Sequence, residues 1–157
     1  MYGVLDVEGI ATYVMCNGKT HICTRKLYIM SENGRHQECY EFSPCRRLFE
    51  IESKFQKSYR YCQKFIHKLP YYPQNRSLSC TSASSRLRQF VERNNITIIF
   101  YKGGHLEKDL CDEINVQSFN IERFNVPKIN SHDPYTEVQG YWKFLQSFCT
   151  DAINSLR

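Results

Sequence analysis

The run "ITIIFYKGG" at positions 96–104 constrains this chain more than any other stretch. It is continuous, rich in β-branched and aromatic residues, and closed by two glycines, so it reads as a central strand buried on both faces. Such a strand is parallel to its neighbour and is covered by helices. The flanking sequence supplies them. "SCTSASSRLRQFVERNN" predicts a helix with a serine or threonine cap at 79–82 and a stop at Asn94 and Asn95. After the run, "HLEKDLCDEI" predicts a short helix and "SFNIERFNV" a strand or extended segment. "HDPYTEVQGYWKFLQSFCTDAINSL" predicts a closing helix whose apolar stripe is Val138, Tyr141, Trp142, Leu145, Phe148 and Ile153. Trp142 and its aromatic neighbours read as core.

The first third of the chain is different. Short β-rich runs occur at Tyr2 to Val7, Ile10 to Cys16 and Lys26 to Met30, with a further partner near Glu38 to Phe42. Gly9, "NGK" at Asn17 to Lys19 and "ENGR" at Glu32 to Arg35 are the turn signals between them, which predicts an antiparallel meander. From Cys45 to His67, Leu48, Ile51, Phe55, Tyr59, Cys62 and Ile66 recur at helical spacing, and "LPYYP" stops the helix. The expected fold class is α/β, with a mixed central sheet (a three-strand antiparallel meander plus parallel strands) flanked by helices. At 157 residues the chain is the size of one domain, 1–157, with one core.

No segment is apolar for long enough to span a membrane, and Met1 to Ile10 lacks the basic flank and cleavage site of a secretory leader. The expectation is an intracellular protein of cytoplasm or nucleus with no membrane attachment. Its eight cysteines are then reduced thiols. A structural zinc drawn from Cys16, His21, Cys23, His36, Cys39 and Cys45, stabilising an interaction domain, is the lesser alternative, because no tight Cys-x-x-Cys pair is present. The net charge of +5 favours an anionic partner. Between Arg46 and Arg76, Arg46, Arg47, Lys54, Lys57, Arg60, Lys64, Lys68 and Arg76 face only Glu50 and Glu52. Phe49, Phe55, Tyr59, Tyr61, Phe65, Tyr71 and Tyr72 lie among them. Cations interleaved with aromatics suit phosphates and bases of a single strand, although a solvated helix face produces the same pattern.

Asp6 and Glu8 interrupt the first strand. Residues i and i+2 of a strand share a face, so the two acids point together while Leu5 and Val7 point the other way. Like charges held so close call for a cation between them, and a divalent metal with oxygen ligands is the usual solution.

With these elements in order, the chain resembles the DEDDh 3′-5′ exonucleases of the DnaQ-like group, which have a ribonuclease H-like fold. The resemblance rests on "DVEG" with Asp6 and Glu8 on the first strand, on Glu107 or Asp109 just after "FYKGG", and on "HDPYTEV" with His132 and Glu137 at the last helix. It spans nearly the whole chain. Two positions depart from the family: the third acid is normally an Asp following Phe, and the final acid is Glu137 in place of Asp.

The resemblance implies hydrolysis of terminal phosphodiester bonds at single-stranded DNA or RNA 3′ ends with two Mg²⁺ or Mn²⁺ ions. Asp6 would bridge the ions, Glu8 and Glu137 would hold one of them, and Glu107 or Asp109 would support the other, with Glu107 preferred. His132 would be the general base. Lys102 and His105 beside the glycines, and Arg60 and Lys64 on the basic helix, are the candidate substrate contacts. The competing class is a catalytically degenerate ribonuclease H-like module that binds RNA or a protein partner. Sequence sets neither the sugar of the substrate nor the oligomeric state.

Overall fold

The computed structural model describes residues 1–74, 77–129 and 133–147. Its centre is a mixed six-stranded sheet of order β4-β3-β2-β1-β5-β6. The strands are β1 (Tyr2–Val14), β2 (Thr20–Ser31), β3 (Gln37–Ser43), β4 (Leu78–Ser79), β5 (Ile98–Tyr101) and β6 (Gln117–Asn120). β1, β2 and β3 form the antiparallel meander, whereas β5 runs parallel to both β1 and β6, and the short β4 runs parallel to β3. The helices are α1 (Ser53–Phe65), α2 (Ala83–Arg93), α3 (His105–Glu113) and α4 (Pro134–Gln146).

Ile98–Tyr101 of the apolar run form β5 and are buried throughout. Leu5, Val7, Ile29 and Ile99 pack on one face against Leu87 and Phe90 of α2 and Leu110 and Cys111 of α3. Tyr2, Val4, Met30, Ile98 and Phe100 pack on the other against Val138, Tyr141 and Leu145 of α4. A third cluster seats Phe55 and Tyr59 of α1 on Ile10, with Tyr71 from the following loop. Burial of these side chains contributes roughly 1.5–3 kcal/mol each before conformational entropy is subtracted.

Three details differ from the sequence expectation. Gly9 is not a turn: β1 runs through it without a break, so the first two predicted strands are one. The glycine is there for proximity, because a Cβ on it would lie 2.6 Å from Ile22 Cγ2 and 2.7 Å from Leu106 Cδ2. The true hairpin turn is at Asn17 to Lys19, where Gly18 has φ +82° and Lys19 N–H donates to Asn17 Oδ1. The helix expected from Cys45 begins only at Ser53, preceded by a 3-10 turn at Leu48–Glu50. Trp142 is only half-buried; its Nε1–H donates to Glu32 O at 2.8 Å, and its ring covers Gly34 in the β2–β3 turn.

Among the described residues no helix is long and apolar enough to cross a membrane, and Cys16, Cys23, Cys39, Cys45, Cys62, Cys80 and Cys111 are free. Arg76, His132, Phe148, Cys149 and Ile153 lie outside the described residues.

Candidate metal centre

β1 pairs with β5 only through Tyr2, Val4 and the glycine between them, and then runs on past the end of its shorter neighbour. That mismatch opens the site. Val7 N–H, beyond the last paired position, donates instead to Glu107 Oε1 at 3.1 Å. Glu107 reaches it from the first turn of α3, which follows the tight turn at Gly103 (φ +106°). Leu106 must sit directly over β1 for this, and Gly9 leaves the room.

On the adjacent backbone positions, Asp6 and Glu8 project toward α4. Ligand oxygens of Asp6, Glu8 and Glu137 all lie within 4.8 Å of one another. Glu137 is in the first turn of α4, one residue before the buried Val138, so the packing of the helix on the sheet delivers the carboxylate to the strand. At an effective dielectric of about 20, two unit charges at that separation repel by about 3.5 kcal/mol. Net stabilities are only about 5–15 kcal/mol, so three ionised carboxylates cannot be held here without protons or a cation.

The protonation equilibria express the same conflict. Asp6 is 5 % exposed, and burial, then Glu137, then Glu8 and Glu107, hold its carboxyl well above the usual range. With the Glu137 carboxyl so near, a proton shared between the two acids relieves the conflict. Burial, with the charges of Glu137 and Glu107, pushes Glu8 up to about 8. Glu107 is pushed up to about 7, because burial outweighs the backbone N–H groups that favour its charged form. Asp6 Oδ2 is buried with no hydrogen-bond partner among the described residues. A buried, unsatisfied carboxylate oxygen among other carboxylates is what an oxygen-ligated cation would complete.

Asp6, Glu8, Glu107 and Glu137, predicted from sequence, are thus brought together. Asp109 is not with them: it is exposed and lines a separate cavity of about 550 Å³, together with His105. Lys102 is half-buried in the turn between β5 and α3, and Arg60 and Lys64 are exposed on α1. Two further groups border the acids. The Tyr141 hydroxyl is pushed up by burial and by all four carboxylates, and burial with the Glu8 charge raises the Cys62 thiol of α1. Sequence periodicity assigned both to apolar stripes, and only the convergence of α1 and α4 on β1 shows that they face charge. Comparison with protein-family models, with curated proteins and with solved structures finds no match to this chain.

Proposed function

We propose that this chain is a metal-dependent 3′-5′ exonuclease acting on single-stranded DNA or RNA, with a ribonuclease H-like fold and a site of the DEDDh type. The observation that carries the reading is the convergence of Asp6, Glu8 and Glu137 within 4.8 Å around a buried, unpartnered Asp6 oxygen, with Glu107 adjoining. The sheet supports it, since an antiparallel meander continued by parallel strands is the arrangement that the resemblance implies.

The donor set fits the cofactor. Carboxylate oxygens alone suit the hard cations Mg²⁺ and Mn²⁺. Asp6, Glu8 and Glu137 would hold them, with Glu107 in support. When bound, the two ions supply the positive charge that activates a water and stabilises the leaving 3′ oxygen. The carboxylates must shed the protons they share to act as ligands, which the raised Asp6, Glu8 and Glu107 values make the first requirement for activity near neutral pH. His132, five positions before Glu137, is the proton acceptor in this reading.

The basic helix offers the strand a path. Tyr61 and Phe65 are exposed on α1 beside Arg60 and Lys64, and the Lys64 ammonium lies 5.2 Å from the Phe65 ring centroid. The same helix places Cys62 near Glu8, so these stacking and phosphate-binding groups border the acids.

The test is digestion of 5′-labelled single-stranded DNA and RNA with Mg²⁺, Mn²⁺ or EDTA, alongside Asp6→Ala and His132→Ala. The expected result is a metal-dependent ladder shortening from the 3′ end and lost in both variants. Intact oligonucleotide under every condition, with binding retained, would establish the non-cleaving module instead.

A further inference from the structure

Four residues beyond Glu8, about 13 Å along β1, a second group of donors converges, of different chemistry. His21 Nδ1, Cys23 Sγ and Cys45 Sγ lie within 4.8 Å of one another. Cys23 Sγ is 3.8 Å from His21 Nδ1 and 2.7 Å from Cys45 Sγ. Cys80 lines the same cavity as all three, with its sulfur outside that 4.8 Å group. We propose that His21, Cys23, Cys45 and Cys80 form a structural zinc site.

Three independent features carry this. The first is donor type: three thiols and one imidazole make a Cys₃His set, which selects zinc over the oxygen-seeking ions of the acidic centre. The second is the surrounding support. The Cys45 backbone N–H donates to Cys23 Sγ at 3.5 Å, which suits a thiolate. The fully buried Thr12 hydroxyl lies 3.2 Å from His21 Nδ1, 3.8 Å from Cys23 Sγ and 4.0 Å from Cys45 Sγ. β1 bulges at Thr12, the local irregularity that turns its hydroxyl into this group. The His21 ring is held from the other side by stacking on Tyr13 with centroids 4.6 Å apart.

The third feature is position. Cys23 is on β2, Cys45 in the connection after β3, and Cys80 at the start of the 3-10 turn that leads into α2. One ion would tie the strand to two long connections that bury few apolar residues of their own, and closing long loops is where a cross-link contributes most. A tetrahedral ion with Zn–S near 2.3 Å separates its sulfurs by about 3.8 Å. The Cys23–Cys45 contact must therefore open, and Cys45 is exposed in its loop.

The experiment uses the full chain purified under reducing, chelator-free conditions. Zinc is measured by plasma mass spectrometry, and the apoprotein is titrated with Co²⁺ to read the thiolate-to-cobalt and d–d absorption. Expected are one zinc per chain and a tetrahedral thiolate–cobalt spectrum. Affinity should fall at least about 100-fold in Cys45→Ser and Cys80→Ser and be unchanged in Cys39→Ser and Asp6→Asn. Absence of zinc and of thiolate–cobalt absorption in the reduced wild type would overturn the proposal, as would undiminished affinity in Cys45→Ser. So would isolation of a zinc-free chain two hydrogens lighter, with Cys23 and Cys45 joined as a disulfide.

Discussion

The acidic group near the start of β1 and the thiol–imidazole group further along it place two opposite chemistries on one strand. In the first, Asp6, Glu8, Glu107 and Glu137 repel one another, and at least one oxygen is left buried and unpartnered. In the second, the groups already hydrogen-bond among themselves and to Thr12. The first centre lacks the partners that a cation would supply, whereas the second already satisfies its donors internally and lines a cavity, with Cys45 exposed. The contrast teaches that site function follows from how unsatisfied the donors are, more than from how many there are.

The largest separation between the two should come from Asp6→Asn. It removes a carboxylate ligand from the proposed reaction centre, so exonuclease activity should fall by about 100-fold to 1,000-fold or more, while the metal-free variant should unfold at higher temperature because a neutral amide replaces a carboxyl that burial and its acidic neighbours disfavour in its charged form. Calorimetry beside a gel-based digestion assay reads both, and a stability loss paralleling the activity loss would erase the distinction.

Chelation of the thiol site is the reverse case. Removing zinc held at about 1,000 times its dissociation constant costs about 4 kcal/mol, which for a chain of this size lowers the melting temperature by about 8–16 °C. Removing Mg²⁺ should lower it as well, by the amount that its own concentration and dissociation constant set at the acidic centre. Differential scanning fluorimetry with a zinc-selective chelator against Mg²⁺ withdrawal checks this directly.

Gly9→Ala addresses the connection between the centres. Its Cβ would collide with Leu106 and push α3 away from β1, costing about 1–3 kcal/mol. Because Glu107 follows Leu106, the Val7–Glu107 hydrogen bond should weaken too, measurable as faster amide exchange at Val7.

The remaining prediction concerns pH. Glu8 and Glu107 hold protons in the folded chain up to about 8 and about 7, against ordinary values of 4.5. Between those limits the folded state binds more protons than the unfolded one, so stability of the metal-free chain falls as pH rises from about 4.5 to 8. Saturating Mg²⁺ should flatten that slope. Urea unfolding at several pH values, with and without Mg²⁺, tests the sign.

Sequence revealed these regions unequally. Asp6 and Glu8 are legible because strand alternation is local and fixes which side each residue takes. Glu107 is preferred to Asp109 in sequence only through the resemblance, since both follow the same turn; α3 packing separates them, burying Glu107 on the side of Leu110 and Cys111 and leaving Asp109 exposed. The run at β5 announced the layered architecture, whereas Gly9 misled, because a glycine that admits Leu106 looks in sequence like one that makes a turn. The thiol group was nearly invisible. Its cysteines come from three separate segments with no short spacing, Cys80 was outside the set considered, and Cys16, His36 and Cys39 do not join the group that forms.

The account stands most directly on whether the carboxylates of β1 and α4 hold a hard cation. Mn²⁺ binding followed by electron paramagnetic resonance, on zinc-replete wild type, Asp6→Asn and Cys45→Ser, decides it. Wild type and Cys45→Ser are expected to bind Mn²⁺, with affinity lost in Asp6→Asn. Equal Mn²⁺ affinity in Asp6→Asn and wild type, or none in wild type, would contradict it.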